Sequence, residues 1–133
     1  MSVGLLIVTH GRIGEQLLET AKSMLGICPL QTASLAVSQH CDPDKLYAET
    51  REWYDFLDRG DGVLVLTDMY GSTPSNVSNR LLNEGNHRVQ VVAGVNLPML
   101  VRVLNYPSLS LPELVNKALS GGHDGILLCE PED

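Results

Sequence analysis

Short apolar runs rich in β-branched residues recur along the chain, and a stretch with helical spacing follows each one. Val3 to Val8, Thr32 to Val37, Val63 to Thr67 and Val89 to Ala93 are such runs. A continuous run of this length reads as a strand covered on both faces of a parallel sheet. The segments between them space their apolar residues for one helix face. Ile13, Leu17, Leu18, Ala21, Met24 and Leu25 do so first, then Leu46, Thr50, Trp53, Tyr54 and Leu57, then Val77, Leu81 and Leu82. Strands alternating with helices leave few options. The expected fold is an α/β domain with one doubly wound, mostly parallel sheet, strand order 2-1-3-4, and helices on both faces.

Local signals punctuate this pattern. Asp42-Pro43 and Thr73-Pro74 each read as an N-cap followed by Pro at the first helical position. Ser110-Leu111-Pro112-Glu113 has the spacing of a capping box. Gly26, Gly60-Asp61-Gly62, Gly85 and Gly121-Gly122 read as helix terminators. After the last of these, Gly125 to Cys129 reads as a short final strand, with Cys129 expected in the core. No linker, repeat or low-complexity segment interrupts the chain, so residues 1–133 are expected to form a single domain.

Composition excludes several classes. A net charge of −7 argues against a nucleic-acid or anionic-membrane surface. The start of the chain has no basic segment before its apolar run, and no stretch approaches the roughly 20 apolar residues of a membrane span. Three cysteines without a pairing pattern read as reduced thiols, and a cytoplasmic location is expected.

Chemistry concentrates at two strand ends. The first run leads into Thr9-His10-Gly11, and the third ends at Asp68. Ligands in open α/β sheets sit beyond the carboxyl ends of the strands, and order 2-1-3-4 makes the first and third strands neighbours. His10 and Asp68 should therefore meet. A carboxylate on one ring nitrogen fixes the tautomer, frees the other nitrogen to attack and stabilises the cationic ring that forms. Gly11 leads into one helix N-terminus and Gly71-Ser72-Thr73 into another, and each such terminus offers N–H groups to a phosphate. Asp68 could instead cap a turn and Thr73 its helix; Thr73 could do both. His40-Cys41-Asp42 lacks further ligands at metal spacing, so no metal is expected. His87 reads as a surface residue, and His123 lies in a Gly-rich turn. A phosphoaspartate receiver is excluded: it needs an acidic pair after the first strand and a Lys after the fifth, where this chain has Thr9-His10-Gly11 and Glu130-Pro131.

Three stretches then resemble a known family, the mannose-type enzyme IIA domains of the bacterial phosphoenolpyruvate-dependent sugar phosphotransferase system. They are Ile7 to Gly11, Val65 to Asn76 and Ala93 to Leu100, in the family's order and at its separations. The resemblance implies that His10 is phosphorylated, on Nε2, with Nδ1 facing Asp68. It implies phosphate contacts from Gly11, Gly71, Ser72 and Thr73, and a supporting loop containing Thr9, Tyr70 and Asn96. It implies phospho-HPr as donor, an EIIB subunit as acceptor, no cofactor, and a homodimer whose final strand is exchanged and pairs antiparallel with the partner's sheet. Two alternatives share the chemistry: a stand-alone regulatory protein controlled by phosphorylation, and the phosphocarrier of a dihydroxyacetone kinase system. The family has a second Gly where this chain has Ser72, which would strain a turn that needs positive φ there.

Overall fold

The computed structural model describes residues 2–28, 30–85 and 87–132. The elements run β1 (Gly4–His10), α1 (Ile13–Leu25), β2 (Thr32–Val37), α2 (Pro43–Leu57), β3 (Val63–Thr67), α3 (Thr73–Asn83), β4 (Val89–Ala93), α4 (Leu97–Leu104) and α5 (Leu111–Asp124). The four strands form a wholly parallel sheet in the order β2-β1-β3-β4. The alternation of apolar runs and helical stretches thus produced the expected architecture.

Period-two geometry divides the buried residues between two cores. Leu5 and Ile7 of β1 and Leu64 and Leu66 of β3 join α1, α4 and α5 on one face. Leu6, Val8, Val63 and Val65 join α2 and α3 on the other. Burying side chains of this size stabilises by about 1.5–3 kcal/mol each, so both inner strands are pinned in register from two sides. Tyr54 ties the amino end of the sheet together. Its hydroxyl donates to Asp58 Oδ2 at 2.8 Å and accepts from the Arg88 amide at 2.7 Å. Asp58 Oδ1 in turn accepts from Gly60 and Gly62.

Several local expectations need correction. Ile13, Met24, Trp53 and Leu82, read as inward, are exposed, while Tyr47 takes a core position on α2. Ser72, not Thr73, is the N-cap of α3, and Thr73-Pro74 open the helix itself. Gly121 and Gly122 do not end α5, which continues to Asp124. They are contact points with α4: a Cβ on Gly121 would lie 2.6 Å from Arg102 Cβ, and one on Gly122 2.7 Å from Met99 Cε. Beyond α5, residues 126–132 form no strand within the chain, so the final run is not part of this four-stranded sheet. Ile126, Leu127 and Leu128 are 75%, 79% and 84% exposed, and Cys129 is exposed rather than in the core.

Candidate functional site

Parallel pairing of Val8 with Thr67 sets the carboxyl ends of β1 and β3 side by side. The residues just past that pair meet as expected. Asp68 Oδ2 lies 2.8 Å from His10 Nδ1 and accepts the His10 backbone N–H at 3.0 Å. The other oxygen, Oδ1, accepts from the Met69 amide at 3.0 Å. All these contacts favour an ionised carboxylate. Burial alone would push the Asp68 carboxyl up, but the His10 ring, its amide and its charge outweigh that and hold the group below the ordinary carboxylate range. In the neutral ring, an ionised Asp68 favours the tautomer with the proton on Nδ1, which leaves Nε2 a free lone pair. The His10 side chain is 45% exposed and that of Asp68 13%, so the carboxylate lies beneath a ring open to solvent.

Thr9 is buried, and its Oγ1 accepts from the Gly14 amide at 2.8 Å. Arg12 at the N-cap of α1 makes no side-chain cap, so Thr9 does that work from the strand and fixes α1 against β1. Gly11 differs from expectation: its amide donates to the Val37 carbonyl at 3.0 Å and extends the β1–β2 ladder.

The other expected phosphate turn lies at the start of α3. Gly71 carries the positive φ, 84°, whereas Ser72 sits at −88°. The turn therefore accommodates Ser72 without strain. Its hydroxyl donates to the Met69 carbonyl and does not cap α3. Thr73 is exposed at the first helical position of that uncapped end. Tyr70 is 81% exposed, with Met69 exposed beside it. Asn96 is committed elsewhere: its Oδ1 caps α4 through the Met99 amide at 2.9 Å, and its Nδ2 donates to the Gly122 carbonyl at 3.1 Å. The loop containing it still folds over β3, since Gly94 and Val95 both donate to the Thr67 carbonyl.

Two features escaped the sequence reading. Thr67 Oγ1 and Ser75 Oγ are buried without a hydrogen-bond partner among the described residues, one on the residue before Asp68 and one in the first turn of α3. A Thr closing an otherwise apolar strand was the available signal. The second feature is an open apolar depression of about 330 Å³ lined by Ile13, Gln16, Leu17, Thr20 and Leu97, formed by α1 and the start of α4. Among the described residues no group of three His, Cys, Asp or Glu is placed to hold a metal, and no helix is long and apolar enough to cross a membrane. His40 is exposed. His87 is half-buried, with Nδ1 3.0 Å from the Leu81 carbonyl and its ring edge-on to Tyr54, and His123 lies exposed beside Asp124.

A parallel doubly wound sheet with an aspartate-held, half-exposed histidine at its switch point defines a class of α/β domain. A family model described as the PTS system fructose IIA component matches residues 4–119. The mannose-specific EIIAB component of Escherichia coli K12 is 34% identical over 137 alignment positions, covering 95% of this chain and 39% of that protein. The fucose-operon PTS IIA protein of Streptococcus pneumoniae superposes with a TM-score of 0.72 at 28% identity, over 90% of this chain and 93% of that one. The mannose/sorbose IIA subunit of Enterococcus faecalis gives a TM-score of 0.87 at 22% identity, over 100% and 98%, a likeness of fold. The chain belongs to the fructose/mannose-type IIA family of the phosphotransferase system.

Proposed function

We propose that the protein is a phosphohistidine carrier that accepts a phosphoryl group on His10 Nε2 from phospho-HPr and passes it to an EIIB partner. The observation that carries this reading is the 2.8 Å contact between Asp68 Oδ2 and Nδ1, beneath a half-exposed ring. In the proposed step the Nε2 lone pair forms the new N–P bond as the donor's N–P bond breaks. The Nδ1 proton stays on its hydrogen bond to Asp68, which stabilises the positive charge the ring acquires. Equatorial phosphoryl oxygens need donors more than covalent help. The uncapped first turn of α3, with the Thr73 hydroxyl and the Gly71-Ser72 turn, is the best-supported source. The Gly11 amide is already engaged, so Gly11 serves by turning the chain from β1 into α1.

The donor docks over this open end. Met69, Tyr70 and Ile13 offer exposed apolar surface, whereas Met99 is buried. The EIIB acceptor is proposed from the name of the Escherichia coli relative, of which this chain spans 39%. The proposed assembly is a homodimer, with residues 125–129 pairing as a strand on the partner copy's sheet. The test is incubation with phosphoenolpyruvate, enzyme I and HPr in EDTA, set against ATP with Mg²⁺ alone. Acid-labile label in the first reaction, absent from His10→Ala, is expected. Label arriving only from ATP would make the protein a kinase.

A further inference from the structure

The chain has one tryptophan and one phenylalanine, and the fold places both on the outside of α2 instead of in either core. Trp53 is 37% and Phe56 54% exposed, and their rings pack edge to face with centroids 5.9 Å apart. Aromatic side chains have the largest apolar area to gain from burial, and a cluster left in water marks a surface awaiting a partner. The rings line a depression of about 420 Å³ together with Glu49 and Glu52. Neither carboxylate has an ion-pair partner among the described residues. The chain already sets one cation against this pair, since the Arg59 guanidinium lies 5.8 Å from the Phe56 ring centroid.

The Phe56 end of this face lies by the amino end of the sheet. Leu57, which follows Phe56, abuts the start of β1 so closely that a Cβ on Gly4 would meet its carbonyl oxygen at 2.6 Å. His10 closes the other end of that strand, about 20 Å away at roughly 3.3 Å per residue.

We propose that this aromatic and acidic face of α2 docks a protein partner through a cationic side chain, Arg or Lys, held between Trp53 and the carboxylates of Glu49 and Glu52. Charge complementarity selects the occupant. An apolar or acidic segment would cover two carboxylates without pairing them, which costs more than the rings return. The same argument excludes this chain's own apolar tail, because Asp124, Glu130 and Glu132 flank Ile126 to Leu128. The proposal is independent of chemistry at His10.

Trp53, as the sole tryptophan, reports occupancy directly. The full chain is titrated at low ionic strength with a short peptide alternating Arg and Leu while indole emission is followed. A saturable shift is expected, weakened about three- to tenfold in the Glu49→Gln/Glu52→Gln variant, the scale two exposed ion pairs supply. A Glu130→Gln/Glu132→Gln variant removes the same charge elsewhere and should bind as the unaltered chain does. Absence of a saturable shift overturns the proposal, as does equal weakening in both variants. An equal response to an Asp-Leu peptide overturns it too. So does an emission change driven by protein concentration alone, which would make the occupant a second copy.

Discussion

Asp68 Oδ2 accepts two hydrogen bonds from His10, one from the ring and one from the backbone, so the imidazole cannot turn away without breaking a charge-assisted contact. Asp68→Asn presents either an amide nitrogen to Nδ1–H or a neutral oxygen in place of the anion. The expected outcome is an intact fold with phosphoryl transfer from phospho-HPr slowed about 10²-fold, a few kcal/mol of transition-state stabilisation. Rapid-quench transfer at the unaltered rate would assign Asp68 a structural role alone. This pair was legible in the sequence because strand ends and strand order depend on the apolar runs, which are long-range and redundant. The finer assignments were not. Whether Gly11 offers its amide, Ser72 its hydroxyl or Asn96 its side chain depends on local carbonyls, and those of Val37, Met69 and Gly122 claim them.

Helix ends show the same limit. A double glycine reads as a terminator by propensity, yet α5 runs through Gly121-Gly122 because α4 comes too close there for side chains. The two positions should respond differently to alanine. Gly121→Ala meets Arg102 Cβ, which cannot swing aside, and is expected to destabilise by about 1–3 kcal/mol. Gly122→Ala meets the mobile end of Met99, and about 1 kcal/mol of helix propensity offsets the crowding, so its unfolding midpoint in urea should stay near that of the unaltered chain. The turn after α2 gives a pH-dependent counterpart. Burial works against the Asp58 carboxylate, but Gly60, Tyr54, Gly62 and Arg88 together hold its pKa below the usual range. A depressed folded pKa means stability that is present above the unfolded value of about 3.9 and is lost as pH falls through the folded one. Asp58→Ala strands three donors and should cost about 2 kcal/mol at neutral pH. Paired urea titrations should show that gap closing below about pH 4; a gap independent of pH would place the effect in packing.

The molecule as a whole has two filled cores, and beyond the aromatic face of α2 it leaves the apolar run Ile126 to Leu128 exposed. The sequence showed a strand-like run here, and the fold leaves it outside the chain's own sheet. Under the proposed exchange, Leu127→Asp should shift sedimentation at micromolar concentration from dimer to monomer while leaving the circular dichroism of the subunit intact. A monomer before the substitution would remove exchange from the account. The central claim concerns His10, at the carboxyl ends of β1 and β3. Nitrogen-15 NMR of the histidine-labelled protein, recorded after phosphorylation by phospho-HPr, tests it most directly. The account predicts a phosphorus coupling at His10 Nε2 with Nδ1 still protonated and hydrogen-bonded to Asp68. Phosphate on Nδ1, or on His40, His87 or His123, would contradict it.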